Sequence, residues 1–354
     1  MKICVVGDIH FSSTSSILRE KGERFTKRLE NCIDSIEYVE KYANENGCEY
    51  IIYLGDFFDK ETLNSEELTA LQSIHWSDVK KIFLVGNHEM GAADLSRSSA
   101  HLFNLVPRAT VIDSPNGIVG YGARLMFLPY ILESDRKTVS EYFEELFCRA
   151  GYFETQEVKN TYIFSHNDIK GIQMGKFVSE EGFDINDVES NCLLCFNGHL
   201  HNESRVGNKI INVGNLTGQN FSEDVKYRHK FDILDTDTGE VKEVMNPFAY
   251  YFQRVEITNE KDFNEFRGWL KSCYSVILSV KCVNRLSAEV RKLIEDSEHV
   301  VTYRIINVME DEAEVEDNIQ ELTDTDYVEQ FCNFVLTSIG TNDIVKQELM
   351  RISK

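Results

Sequence analysis

The sequence predicts a mixed α/β fold built in layers, followed by a smaller α+β unit toward the C-terminus. Three observations carry that prediction. Over residues 1 to about 245, short apolar runs typical of buried strands alternate with stretches of helical apolar spacing. Five of those runs end directly in a short polar motif. Beyond Pro247, the last proline, the pattern changes to three strand-like runs separated by two amphipathic stretches.

Taken in order, Ile3 to Val6 reads as a strand running into GDIH, Gly7 to His10. Ser12 to Ser16 reads as a loop. Phe25, Leu29, Ile33, Ile36 and Val39 recur at helical spacing, and Asn46-Gly47 supplies the stop. The strand Tyr50 to Leu54 runs into GDFFD, Gly55 to Asp59, and a helix is expected from Ser65 to about Trp76. The strand Ile82 to Val85 runs into GNHE, Gly86 to Glu89, and a helix is expected from Ala92 to about Leu105, ahead of Pro107. Turns are marked at Pro115 to Gly117 and Gly120 to Gly122. Thr138 to Arg149 reads as an amphipathic helix with Tyr142, Phe143, Leu146 and Phe147 on its apolar side.

The strand Tyr162 to Phe164 runs into SHND, Ser165 to Asp168, and the strand Leu193 to Phe196 runs into NGHLH, Asn197 to His201. A hairpin follows over Arg205 to Val213, then a glycine-rich loop, Gly214 to Gly218. A second hairpin joins Phe231–Leu234 to Val241–Val244. In the C-terminal unit, Phe252–Ile257, Ser275–Cys282 and Val300–Asn307 read as strands, and Asp262–Lys271 and Ala288–Asp296 as helices. Glu310 to Asp317 is a charged loop or solvated face. Helical spacing returns from Val328 to Ile352. These signals divide the chain into residues 1–247, residues 248–325 and a C-terminal stretch, 326–354.

Composition bounds the possibilities. The length of 354 residues suits a large domain plus a smaller one, and 42% hydrophobic with 27% charged residues fits a globular protein. No apolar run approaches membrane-spanning length, so no membrane contact is expected. The N-terminus enters a strand and a candidate ligand at once, which argues against a cleavable leader. Nine cysteines without repeated spacing point to free thiols in a cytoplasm. A net charge of −22 counts against broad, unaided nucleic-acid affinity, unless a small basic groove or a partner supplies the contact. Lys170, Lys176, Arg205, Lys209, Lys226, Arg228 and Lys230 are candidates for such a groove, or scattered surface charge.

The motifs supply Asp8, His10, Asp56, Asn87, His88, His166, His199 and His201. Carboxylate, imidazole and amide donors without cysteine suit borderline divalent cations such as Mn²⁺, Fe²⁺ or Zn²⁺. Any one motif is weak, because Gly-Asp after a strand is commonly a turn. Five at strand ends are hard to explain as independent turns, since layered α/β folds collect ligands beyond the carboxyl ends of strands. Cys192 and Cys195 form a CxxC within an apolar run, and packing is the preferred reading. His75, His101, His229 and His299 match no motif; Asn202 and Asn215 lie close to the ligand loops, where a supporting role or a turn role is open.

GDIH, GD, GNH, the His of SHND and GHLH, in that order, resemble the calcineurin-like metallophosphoesterase superfamily. Within it they resemble the SbcD-type DNA double-strand-break nucleases, and among those the recombination endonuclease subunits of T-even-like phages. The motifs span roughly two-thirds of the chain. The resemblance implies a two-sheet sandwich flanked by helices, with residues 248–325 as a small α+β cap. It implies two divalent metal ions, with Mn²⁺ favoured. Asp8, His10 and His201 would hold one, and Asn87, His166 and His199 the other, with Asp56 bridging. His88 would act on the scissile phosphate rather than on metal. Some relatives carry a second catalytic His where this chain has Asp59, which is instead expected to orient His88 or a ligand.

The activity implied is duplex exonuclease and single-strand endonuclease action on DNA in recombination, repair and replication. The implied partner is an SbcC-type coiled-coil ATPase, docked through residues 326–354, around a homodimer within a heterotetramer. Such a protein would work in the cytoplasm, the host's if phage-encoded. Ser96 to Leu105 resembles in position a helix that relatives use for dimerisation, although ordinary packing is the preferred reading from the residues alone. The competing reading is a phosphoesterase of the same fold acting on a phosphoprotein or a small nucleotide. A non-catalytic scaffold ranks last, since no expected ligand is missing.

Overall fold

The computed structural model describes residues 1–14, 18, 20–120, 122–148, 160–174, 177–223 and 228–308. Two six-stranded sheets form its centre. In the first, the spatial order is Val241–Met245, Lys230–Asp235, Lys2–Val6, Tyr50–Tyr53, Lys80–Leu84 and Ala109–Ile112. The last four strands are parallel, and Lys230–Asp235 joins them antiparallel against Lys2–Val6. In the second, the order is Ser204–Val206, Ile210–Asn212, Leu194–Asn197, Asn160–Ser165, Ala123–Leu128 and Asn116–Gly120, with the four central strands parallel.

Strand alternation sorts the side chains into layers. Ile3, Val5, Ile52, Leu54, Ile82 and Leu84 face Leu125, Phe127, Tyr162, Phe164, Phe196 and Ile211 of the second sheet in one buried core. Cys4, Val6, Ile51, Tyr53, Phe83 and Val85 point the other way, under the helix Lys27–Glu45. Met126, Leu128, Ile163, Cys195 and Ile210 form the outer core of the second sheet with Val139, Phe147 and Val188. The result is a sandwich of two sheets flanked by helices, the architecture expected. Each fully buried aliphatic or aromatic side chain in these layers contributes about 1.5–3 kcal/mol.

Most elements fall where periodicity puts them. The helix Lys27–Glu45 buries Leu29, Cys32, Ile33, Ile36 and Val39 and stops at Asn46, ahead of Gly47 at φ 68°. The helix Ser65–Gln72 opens with an Asn64–Glu67 capping box and ends a turn short of Trp76. Two regions differ. Residues 92–98 are not helical: Met90–Gly91 pairs antiparallel with Asp94–Ser98 across Ala92 and Ala93, both at positive φ, and only Ser99–Leu105 coils, as a 3₁₀ segment. The helix begun at Val139 widens into a π turn over Glu144–Cys148, and Arg149 lies outside the described residues. The eight described cysteines are free. Cys192 is not on a strand; it caps the helix Ile185–Asn191 and packs in the same outer core as Cys195.

The C-terminal unit alternates strand and helix: Tyr251–Ile257, Glu260–Leu270, Val276–Val283, Ser287–Glu295 and Val300–Val308. Its three strands are parallel and lie in sequence order. Leu278, Val280 and Cys282 pack with Phe263, Phe266, Val290 and Ile294 of the two helices on one face. On the other face, Phe252 and Ile277 meet Phe221 and Leu18 of the larger unit. Residues 310–317 and 326–354, for which a charged stretch and a docking element were expected, lie outside the described residues. No described helix is long and apolar enough to cross a membrane.

Candidate metal centre

The five motifs do converge. Each leaves the carboxyl end of a parallel strand, and the two sheets bring their ends together. The turns are tight: His10, Asp56 and His199 hold φ of 52°, 46° and 73°, left-handed values costing roughly 1–3 kcal/mol each in a non-glycine residue. Strain of this kind collects where geometry serves a site. Gly55, at φ 116°, precedes Asp56, and a side chain there would strike the His166 ring. At Gly7 even a methyl group would collide with the Gly214 carbonyl, so these two loops touch through bare backbone.

Three donor clusters result: Asp8, His10 and His201; His10, Asp56 and His88; and Asp56, His166 and His199, with ligand atoms inside each cluster within 4.8 Å of one another. The first two share His10, and Asp56 belongs to the last two, the position expected of a bridge. Asn87 joins the third, its Oδ1 3.2 Å from His166 Nε2 and 3.0 Å from His199 Nδ1.

Hydrogen-bond polarity tests whether cations fit. His166 Nδ1–H donates to the Leu54 carbonyl at 2.9 Å, which leaves the Nε2 lone pair facing Asp56 Oδ2 at 3.2 Å and Asn87 Oδ1. His199 Nε2–H donates to Asp168 Oδ1 at 3.1 Å, which turns the Nδ1 lone pair toward the same Asn87 oxygen. Four acceptor atoms therefore converge, an arrangement that repels itself without a cation among them. The other side has the same character. His10 Nε2 and His201 Nε2 are 3.1 Å apart, and the buried Asp8 Oδ2 beside them has no hydrogen-bond partner among the described residues. The donor set fits two divalent cations.

The electrostatics of the metal-free protein agree. Burial alone would lower the His166 pKa, but Asp56, Asp8 and Glu89 lift it to about 9, a measure of the negative field a cation would meet there. Asp56 is held far below the carboxylate range, its burial outweighed by His166, His10 and His88. Burial and then His10 push His201 down to about 4.

His88 is the most exposed member of these donor clusters. Its side chain is 38% exposed, against 0–2% for Asp8, His10, Asp56 and His166. Its Nδ1–H donates to the Asp59 carbonyl at 2.9 Å, and its backbone N–H donates to Asp56 Oδ1 at 3.0 Å. Nε2 lies 4.0 Å from Asp56 Oδ2, at the partly exposed edge of the site. Asp59 thus orients His88 through its main chain, while its carboxylate sits 3.3 Å from His10 Nδ1.

Other supporting residues escaped the sequence reading. The carboxylate of Glu89 accepts from the backbone N–H groups of Asp56, Gly86 and Phe58, clamping two motif loops together. Burial and the Asp56 charge raise it to about 8. The buried Arg28 donates to the carbonyls of Gly218, Ile9 and His10. Gln219 donates to Asp59 Oδ1 at 3.1 Å. Asp168 and Glu89 lay inside the motifs and were visible there; Arg28 and Gln219 carried no local signal. Asn215 donates its backbone N–H to the His201 carbonyl and its side-chain amide to Glu223, and Asn202 offers its carbonyl to Asn212.

Three of the seven basic residues around the last two motifs, Lys209, Arg228 and Lys230, are engaged locally. Lys230 is buried, 2.6 Å from Asp232 and 3.5 Å from Glu203 and Glu243. Lys209 donates to the carbonyls of Glu189 and Cys192, and Arg228 pairs with Glu243. These cations neutralise local acids and carbonyls. Lys176 and Lys226 lie outside the described residues. The unassigned histidines are ordinary: His75 pairs with Glu37, His101 with Asp113, His229 with the Asn215 carbonyl, and His299 stacks edgewise on Tyr274.

A family model described as calcineurin-like phosphoesterase matches residues 1–203. No curated protein sequence matches the chain. Among solved structures, TT1561 of Thermus thermophilus is 11% identical at a TM-score of 0.42, covering 69% of this chain and 98% of that one. Another solved chain is 12% identical at a TM-score of 0.41, with the same coverage.

Proposed function

The chain belongs to the calcineurin-like phosphoesterase family, and from that premise we propose that this metal-dependent phosphoesterase is a DNA nuclease. The observation that carries the reading furthest is the ordered motif set, each member resembling the SbcD-type pattern, with its donor atoms gathered at one place. The C-terminal sheet supports it, because an extra unit packed against the loop that follows the last motif suits selection of a polymer.

In this reading Asp8, His10, Asp56 and His201 would hold one divalent cation, Mn²⁺ being favoured, and Asp56, Asn87, His166 and His199 would hold a second. When bound, such a pair of cations would supply charge neutralisation at the phosphate oxygens and a lowered pKa for an attacking water. His88, anchored through Nδ1 by the Asp59 carbonyl, presents Nε2 to the scissile phosphate. There, as the imidazolium with a proton on each nitrogen, it would stabilise the developing charge and give its Nε2 proton to the leaving oxygen as that P–O bond breaks, while a water oxygen forms the new P–O bond and releases its proton to solvent. Asp168 and Asp59 keep His199 and His10 turned the right way.

The same reading makes an SbcC-type ATPase the partner, docked through residues 326–354 around a homodimer, in the cytoplasm. The net charge of −22 fits a subunit whose partner shares the grip on DNA. It also favours the alternative, a phosphoesterase acting on a phosphoprotein or small nucleotide. The deciding experiment is digestion of an end-labelled linear duplex in Mn²⁺, with Asp56→Ala alongside. Shortening by the wild type alone supports the nuclease. An intact duplex, with and without the ATPase, while a chromogenic phosphodiester is cleaved, selects the alternative.

A further inference from the structure

The C-terminal sheet has one face covered by helices and one that is not. On the face that carries no helix and packs through Phe252 and Ile277 against Phe221 of the larger unit, register places Arg254, Ser279 and Arg304 in a single row across the three strands. Neighbouring strands lie about 4.8 Å apart, so the two arginines flank the serine on one surface. Both guanidinium groups turn toward one ring: Arg304 lies 5.1 Å and Arg254 5.9 Å from the centroid of Phe221. Arg304 Nε also donates to Ser279 Oγ at 2.8 Å. The row is therefore held in place rather than waving in solvent.

Its electrostatics are unusual for this chain. With 59 acidic residues against 37 basic ones, most cations near a strand face find a carboxylate, as Lys281 does with Glu256 at 3.5 Å. Arg254 and Arg304 are exposed, and neither forms an ion pair among the described residues. Two exposed forks over one aromatic ring, one of them fixed by the buried Ser279 hydroxyl, suit a phosphate group, which guanidinium binds through paired N–H donors. The place matters as well. Phe221 follows Gln219 by two residues, and Gln219 is bonded to Asp59 beside His10 and His88. A chain of contacts thus ties the row to the metal centre.

We infer that the Arg254–Ser279–Arg304 row is a phosphate-binding subsite that holds the backbone of a single-stranded polynucleotide away from the cleaved bond. The inference rests on the nucleic-acid reading above and adds a location to it. It also locates a basic surface outside the last two motifs.

The test is binding of a fluorescent oligothymidylate to the full chain in EDTA, followed by anisotropy across a salt series. Arg254→Gln/Arg304→Gln should bind roughly tenfold more weakly or worse, since charged hydrogen bonds are lost. The slope of log K against log salt should fall by about 1.4, the value for two single-strand phosphate contacts. The double lysine variant keeps the charge and should keep the slope, with an unchanged melting temperature confirming the fold. Equal affinity and slope in wild type and glutamine variant would overturn the subsite. So would a wild type that cleaves a chromogenic phosphodiester but binds no oligonucleotide. Arginine-dependent binding without cleavage in Mn²⁺ would keep the subsite and remove the nuclease.

Discussion

Asp168 Oδ1 lies 3.1 Å from Nε2 of His199, while Nδ1 of the same ring faces Asn87. One carboxylate thereby decides which nitrogen of His199 carries its lone pair inward. Asp168→Ala should lose that control and weaken divalent-cation binding roughly 10–100-fold. Asp168→Asn keeps an acceptor oxygen and should lose less. Calorimetric titration of Mn²⁺ into the metal-free variants reads both, and equal affinity in Asp168→Ala and wild type would refute the assignment.

His88 and Asp56 should separate turnover from metal binding. His88→Ala is expected to keep both cations and to lose roughly 10²–10⁴-fold in turnover. Asp56→Ala should bind no metal and show no rise in melting temperature when Mn²⁺ is added, whereas the wild type should rise. Elemental analysis showing an emptied site in His88→Ala would move that residue among the ligands.

Glu223 should make stability fall as pH rises. Burial lifts its pKa to about 7, against opposing pulls from the Gln219 N–H, Arg28 and Asn215. The folded value lies above the ordinary value of 4.5, so its contribution is whole below about pH 4.5 and is lost as pH climbs through 7. A shift of this size corresponds to at most about 3 kcal/mol. Glu223→Gln keeps an acceptor for Asn215 and for the Gln219 N–H. Urea unfolding should find the variant gaining on wild type between acid and neutral pH; a constant difference would contradict the assignment.

Removing residues 326–354 should abolish capture of an SbcC-type ATPase while Mn²⁺ affinity is retained. Undiminished co-purification of the truncated chain with the ATPase would exclude the segment as a docking element.

The site was legible where chemistry and backbone signal coincide. Apolar runs ending in Gly-Asp, Gly-Asn-His or Gly-His betray both a strand and a ligand, so the donor residues could be gathered from spacing and resemblance. Arg28 could not, because it lies on a helix among apolar neighbours and acts only on carbonyls distant in sequence. Gln219 fails for the same reason, reaching Asp59 across 160 positions. Lys230 looked like surface charge because its acidic neighbours Glu203 and Glu243 come from other strands and loops. Residues 92–98 misled because Leu95 lies at helical spacing from Leu102, while the turn at Ala92 and Ala93 uses a conformation alanine seldom adopts.

The strand Lys2–Val6 sits in the sheet between Tyr50–Tyr53 and Lys230–Asp235, and Gly7 touches Gly214. During synthesis, Asp8, His10 and Asp56 leave the ribosome long before His199 and His201 exist. The first strand waits with one edge open until residues 230–235 emerge. Closing contacts so remote in sequence is slow. The nascent polypeptide therefore carries an incomplete donor set until His199 and His201 have been added, and an open first sheet until residues 230–235 follow.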